Sequence, residues 1–88
     1  MARFILLEFS ATWCGPCKIQ RPIIEDLKKL KDLFDINIID VDDNTEMAEK
    51  YNITAVPTII ILDNHKEIFR YMGVTEKEKI LSDIKKYD

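Results

Sequence analysis

The spacing of apolar and polar residues near the start of the chain predicts a strand followed by a helix. Residues 4–9 form an apolar run interrupted only by Glu8, which is typical of a central parallel strand covered on both faces. From residue 15 to about residue 34, apolar residues recur every three to four positions, which predicts an amphipathic helix. Pro22 lies inside this helix and should kink it. The apolar positions are Ile19, Ile23, Leu27, Leu30 and Phe34.

The middle of the chain predicts a strand, a short helix and then a pair of strands. Residues 36–41 are rich in β-branched side chains, and the polar run after them can cap a short helix over about residues 45–51. Residues 58–62 are nearly all β-branched and predict a central strand. The connection to the next strand, at residues 67–72, is so short that this strand should be antiparallel. The capping run is Asp42, Asp43 and Asn44.

The end of the chain predicts a third helix that begins at a capping box. Thr75 is followed three residues later by Glu78, which is the signature of that cap. The inward positions of this helix are Ile80, Leu81, Ile84 and Tyr87. The order β-α-β-α-β-β-α contains no repeat or linker, so we expect one α/β domain over residues 1–88.

Composition narrows the possible functions. The 88 residues are 47% hydrophobic and 33% charged, as expected of a globular protein with one core. The net charge of −3 gives no electrostatic basis for binding nucleic acid or an anionic membrane, and no apolar run could span a bilayer. The N-terminus lacks a secretory layout, so we expect a cytoplasmic protein. In that reducing compartment the two cysteines are more often catalytic, redox-sensing or metal-binding than structural.

Both cysteines lie in one short stretch, where the first predicted strand passes into the first predicted helix. The stretch reads Trp13-Cys14-Gly15-Pro16-Cys17-Lys18. At a helix N-terminus the backbone N–H groups have no intrahelical partner and the macrodipole is positive. That environment favours the thiolate, which is the nucleophilic form of cysteine. The stretch therefore indicates a centre for dithiol–disulfide exchange.

Two other uses of the cysteine pair have less support. Structural zinc usually needs four ligands, and only His65 remains as a soft partner, in a turn expected to be exposed. A purely structural disulfide would close a very short loop and add little stability. An acidic run also suggests a hard cation, although solvation of a strand end and helix capping explain it better. This run is Asp40, Asp42 and Asp43.

Several motifs together resemble the thioredoxin family, as a small member, over nearly the whole chain. These are the Trp-Cys-Gly-Pro-Cys motif, Pro22, the sequence Val56-Pro57-Thr58 and Gly73. The resemblance implies a thioredoxin fold, which is a four-stranded mixed sheet flanked by three helices. Larger members have an additional N-terminal strand and helix for which this chain has no residues, so in length it is nearer to the glutaredoxins.

The family's mechanism implies a protein-disulfide reductase. Cys14 would attack a disulfide in a partner protein, and Cys17 would then displace the partner. Gly15 permits the tight turn, and Pro16 fixes φ where its missing N–H costs nothing. The implied partners are disulfide-containing proteins and a thioredoxin reductase that returns the electrons. The resemblance implies no cofactor and no metal, and we expect a monomer.

Two departures from the family concern a buried acid. Glu8 stands where the family usually has aspartate, and Ile38 stands where larger thioredoxins have lysine. A carboxyl on a buried strand should have a raised pKa, and Glu8 could accept the Cys17 proton as general base. The alternative is that Glu8, near the end of its strand, points to solvent.

The resemblance also implies a groove for an extended peptide. Pro57 should be cis, and the backbone of the preceding Val56 should pair with the substrate chain. The predicted groove residues are Trp13, Gly15, Pro16, Val56, Pro57, Gly73 and Val74. The alternatives are that Trp13 is a core aromatic and that Gly73 only ends a strand.

Two other functions remain open on this fold. One is an oxidant or isomerase, but isomerases usually carry Gly-His between the cysteines and glutaredoxins carry Pro-Tyr, whereas this chain has Gly15-Pro16. The other is a non-catalytic module that binds a partner protein. The presence of both cysteines, Pro57 and a buried acid argues against such a module.

Overall fold

The computed structural model of the chain describes residues 1–87 and contains the elements in the predicted order. The elements are β1 (Phe4–Ser10), α1 (Gly15–Leu27), β2 (Phe34–Asp40), α2 (Thr45–Lys50), β3 (Thr58–Asp63), β4 (Lys66–Met72) and α3 (Lys77–Tyr87). Asp88 lies outside the described residues. Among the helices that the structure describes, none is both long and apolar enough to span a membrane.

The four strands form one mixed sheet in the order β2-β1-β3-β4. β1 pairs parallel with β2 and antiparallel with β3, while β3 pairs antiparallel with β4. The two apolar strands predicted to be central are central. Asn64 and His65 join β3 to β4 with φ of 52° and 73°, the left-handed backbone of a tight hairpin turn. His65 is exposed there, as predicted.

Alternate residues of β1 and β3 face two different cores. One core lies between the sheet and the helices α1 and α3, and the other lies on the α2 side. The first contains Phe4, Leu6, Ile24, Leu27, Phe34, Ile59, Ile61, Ile80 and Ile84. The second contains Leu7, Phe9, Ile39, Ile60 and Leu62. Glu8 follows Phe4 and Leu6 at the two-residue spacing of a strand, so its side chain lies on the α1 side of the sheet.

The predicted extent of α1 is wrong at its C-terminal end. The helix ends at Leu27, and the Leu30 carbonyl accepts hydrogen bonds from the N–H groups of Leu33 and Phe34 in the turn that follows. Phe34 is the first residue of β2, paired with Phe4 of β1. The apolar spacing continues past the helix because the turn and the start of β2 also supply core residues.

The predicted apolar face of α1 is buried at Leu27 but wrong at Ile19 and Ile23. Ile19 is 64% exposed, and Ile23 is only half-buried. The buried residues are Cys17, Gln20, Ile24 and Leu27. These four residues therefore form the face of α1 that packs on the sheet, and Cys17 is the first of them.

The predicted helix caps are not formed as expected. α3 begins at Lys77, and the Thr75 hydroxyl donates to the Gly73 carbonyl at 3.1 Å instead of capping the helix. Asn44 precedes α2 without a capping bond from its side chain, which donates to the Asp40 carbonyl. Along α3, Ile80 and Ile84 are buried and Leu81 is half-buried. Tyr87 is 42% exposed, and its hydroxyl donates to Asp63.

Candidate active site

The two cysteines lie at the junction between the end of β1 and the start of α1. The Cys14 N–H donates to the Ala11 carbonyl at 3.2 Å, which closes the loop after β1. Cys14 is the N-cap of α1, and Pro16 is in the first turn, where its missing N–H costs no helical bond. Cys14 and Cys17 are joined by a disulfide with a Cα–Cα distance of 5.3 Å.

A backbone donor of the helix points at the sulfur of Cys14. The N–H of Cys17 donates to Cys14 Sγ at 3.2 Å, so the first sulfur occupies the place of a capping side chain. A thiolate at that sulfur would receive this hydrogen bond and the positive end of the helix. Cys14 is 4% exposed and Cys17 is 3% exposed, so exposure does not distinguish them. The N-cap position does.

A cis peptide bond joins Val56 to Pro57 beside the disulfide, as the sequence resemblance implied. The Val56 carbonyl oxygen is 3.6 Å from Cys14 Sγ. The Pro57 carbonyl accepts the N–H of Gly73 at 2.9 Å. Three segments that are far apart in sequence therefore meet at the cysteines.

Trp13 forms an exposed wall next to this junction. It is 68% exposed, which shows that it is not a core aromatic, and its indole N–H donates to Asp42 Oδ2 at 2.8 Å. An apolar hollow of about 190 Å³ lies between Trp13 and Val56. It is lined by Trp13, Val41, Ala48, Ile53, Thr54, Ala55 and Val56. Gly15 and Pro16 are exposed on the helix side, and Val74 is 39% exposed.

Glu8 is fully buried beneath α1, so it does not point to solvent. In the sheet it is flanked by Ile38 of β2 and Ile59 of β3, and neither carboxyl oxygen accepts a hydrogen bond from residues 1–87. Burial raises the pKa of the Glu8 carboxyl, and the positive charges of Arg21 and Lys28 partly oppose that rise. The predicted direction of the Glu8 pKa is confirmed.

Arg21 links Glu8 to the surroundings of Cys17. Its Nε is 4.0 Å from Glu8 Oε1, and its side chain is 47% exposed. Arg21 also lines a hollow of about 370 Å³ that borders Cys17. The other lining residues are Ser10, Ala11, Thr12 and Lys18. Arg21 of α1 therefore places a positive charge near Glu8, whose neighbour in the sheet, Ile38, has none.

Comparison with known proteins places the chain in a family. The family model described as Thioredoxin matches residues 1–86. This chain belongs to the thioredoxin family. It is 36% identical to thioredoxin of Bacillus subtilis over 84 residues, which cover 94% of the chain and 81% of that protein.

The fold is shared with solved thioredoxins. The X-ray structure of Fasciola hepatica thioredoxin aligns with a TM-score of 0.85 at 35% identity, covering 99% of this chain and 83% of that one. A bifunctional thioredoxin reductase/thioredoxin of Mycobacterium leprae is 33% identical over 81 residues, which cover 91% of this chain and 18% of that protein. These relatives and the disulfide-linked Cys14–Cys17 pair make the chain a thiol–disulfide oxidoreductase of the protein-disulfide reductase type.

Sequence reasoning missed three polar residues of this thioredoxin site. Asp42 holds the Trp13 indole, Arg21 lies beside Glu8, and Gln20 pairs with the main chain of Thr75. Asp42 and Arg21 carried no local signal, since each acts on a residue distant in sequence. Gln20 did carry one, because a three-residue step from Cys17 places it on the same face of α1.

Proposed function

We propose that the chain reduces disulfides in partner proteins, with Cys14 as the attacking cysteine and Cys17 as the resolving one. The observation that carries this assignment is the 3.2 Å hydrogen bond from the Cys17 N–H to Cys14 Sγ. It stabilises negative charge on the first sulfur and offers no such bond to the second. Cys17 follows one helical turn later, which keeps it within bonding reach of Cys14.

The reaction balances as two exchanges of sulfur. The Cys14 thiolate attacks one sulfur of the substrate disulfide, that bond breaks, and the other substrate sulfur leaves as a thiolate and takes a proton. The Cys17 thiolate then attacks Cys14 and expels the second substrate sulfur, which is protonated in turn. Two electrons pass to the substrate, and the protein is left with the Cys14–Cys17 disulfide.

We assign the proton of the second exchange to Glu8. Its carboxyl is buried without a hydrogen-bond donor from residues 1–87, and burial raises its pKa. A carboxyl in that state can take the Cys17 proton, through a water, in a range where an exposed glutamate would be a weaker base. Arg21, at 4.0 Å, limits how far the charged form is disfavoured.

The substrate is an extended polypeptide that lies between Trp13 and Val74. Trp13 and Val74 supply exposed apolar surface, and the main chain of Val56, next to Cys14, supplies hydrogen-bonding groups to a paired strand. Gly15, Pro16, Pro57 and Gly73 complete this surface. Of the residues in this surface, Val74 is the one that offers an apolar side chain to the substrate next to α3.

The direction of reaction and the electron donor follow from the family. Gly15-Pro16 between the cysteines supports a reductant over an isomerase, and a thioredoxin reductase would restore the dithiol. The Mycobacterium leprae relative named above joins both activities in one protein. Cytoplasmic location, a monomeric state and a single domain over residues 1–88 stay predictions.

Insulin reduction with dithiothreitol as donor tests the assignment. Wild type should accelerate the reaction, whereas Cys14→Ser and Cys17→Ser should each lose more than about 1,000-fold. Cys17→Ser should also hold a mixed disulfide with insulin through Cys14, visible by mass spectrometry without reductant. The roles would be reversed if Cys14→Ser trapped an adduct on Cys17 and Cys17→Ser trapped none on Cys14. Absence of turnover in wild type would favour a binding module.

A further inference from the structure

The first helix carries a fully buried amide, Gln20, one turn after Cys17. Gln20 Nε2 donates to the Thr75 carbonyl at 3.0 Å, and Gln20 Oε1 accepts the Thr75 N–H at 2.7 Å. Only this orientation of the amide satisfies both groups of Thr75. The side chain therefore pairs with the main chain of Thr75 much as a neighbouring strand would.

Thr75 lies in the loop that leads from β4 into α3. At the start of this loop the Gly73 N–H donates to the Pro57 carbonyl at 2.9 Å. The Thr75 hydroxyl donates back to the Gly73 carbonyl at 3.1 Å. Val74 lies between these attachments and is 39% exposed. The loop is thus fixed to the proline segment at one end and to α1 at the other.

The main chain of Thr75 needs Gln20 because no regular element pairs it. Thr75 follows the end of β4 and precedes the start of α3, so neither the sheet nor the helix pairs its N–H and carbonyl groups. An apolar side chain at position 20 would leave both groups without these partners. An amide buried in the core is itself costly unless it is paired, and here both of its ends are.

We propose that Gln20 is a positioning residue that sets the spacing between the cysteines and Val74, and with it the affinity for a polypeptide substrate. The inference rests on the groove proposed above. Cys14 caps α1, the helix that contains Gln20. Val74 is attached to the same helix through its neighbour Thr75, which pairs with Gln20. A polypeptide that contacts both sides requires their spacing, but a small disulfide that reaches only Cys14 does not.

Gln20→Met tests this role because methionine keeps the length of the side chain and removes both hydrogen bonds. We expect KM for insulin to rise about tenfold, equivalent to one or two lost hydrogen bonds, with kcat little changed. The single-turnover rate of the reduced protein with oxidised lipoamide should stay at the wild-type value. Ile24→Val is the matched control, since it trims another buried side chain of α1, one that belongs to the core with Ile80 and Ile84 and forms no hydrogen bond with Thr75.

Several results would overturn the proposal. These are a wild-type KM in folded Gln20→Met, an equal loss of activity on insulin and lipoamide, or the same rise of KM in Ile24→Val. If Gln20→Met does not fold, Gln20→Asn replaces it, since its side chain is too short to keep both bonds. In wild type, the Thr75 amide should exchange slowly with deuterium, and free exchange would also overturn the proposal. Failure of wild type on both disulfides would instead remove the proposed function itself.

Discussion

Two polar side chains, Glu8 and Gln20, are fully buried between the sheet and α1, and they differ in how they are paired. Glu8, on β1, accepts no hydrogen bond from residues 1–87 and has only Arg21 at 4.0 Å. Gln20, on α1, pairs both ends of its amide with Thr75. Burial is the same for both residues. The chemical group and its partners differ.

The difference separates a group that can change its charge from one that holds a position. Burial without hydrogen-bond donors favours the protonated form of a carboxyl, which is why the pKa of Glu8 is raised. Its carboxylate form is then a stronger base, which can accept the proton of a thiol. A fully paired amide has no proton to exchange and loses hydrogen bonds if it moves. We therefore expect Glu8 to act on the chemical step and Gln20 to act on substrate binding.

The largest effect that we expect from the difference between Glu8 and Gln20 is on the rate of the resolving step in Glu8→Gln. General bases contribute about 100-fold or more, so release of the partner should slow by about 100-fold while its capture by Cys14 stays unchanged. Rapid acid quench and mass spectrometry can follow the mixed disulfide with time. Glu8→Asp, which keeps a carboxyl, should recover part of the rate. Slow capture with normal release in Glu8→Gln would contradict the assignment.

The second test is the pH dependence of stability. The folded pKa of Glu8 is raised above its unfolded value of about 4.5, so its favourable contribution is complete below that value and is lost as pH rises through the folded pKa. Glu8→Gln should lack this decline, because an amide does not titrate in this range. Urea denaturation of the oxidised protein from pH 4 to pH 8 measures it. Glu78→Gln, on an exposed part of α3, should decline like wild type. If the unfolding free energy of Glu8→Gln declined with pH as steeply as that of wild type, Glu8 would not have the raised pKa assigned to it.

The smallest expected effect concerns Arg21. Its charge lowers the pKa of Glu8, so Arg21→Met should raise that pKa and move the pH profile of the resolving step upward. The shift should be small because the Arg21 side chain is half-exposed and screened by solvent. Arg21→Lys keeps the charge and should shift the profile less. A downward shift in Arg21→Met would mean that Arg21 acts by another route.

Local patterns in the sequence predicted the order of the elements and the two central strands, because strand and turn signals do not depend on distant residues. The resemblance supplied the cis bond before Pro57, which a base rate of about 5–6% would not have justified. The predicted face of α1 was wrong at Ile19 because the apolar spacing passed over the polar Gln20, which is buried, whereas Ile19 is exposed.

The remaining features depend on contacts between distant segments. Asp42 looked like a strand-end residue, yet it accepts the indole N–H of Trp13. Arg21 belonged to a predicted charged face, and only the packing of α1 on β1 brings it to Glu8. Thr75 fitted a capping box, but its main chain pairs with Gln20, and the helix starts one residue later than a Thr75 cap would place it. No spacing rule could predict these pairs.

The outer edge of β2 is unpaired within residues 1–87, since β2 has only β1 as a neighbour. Asp35 and Asn37 of β2 are exposed. A second copy adding a strand in antiparallel fashion at this edge would place carboxylates near one another and bring polar side chains into the contact. We therefore expect the β2 edge of the sheet to resist pairing into fibrils, even when the protein is concentrated.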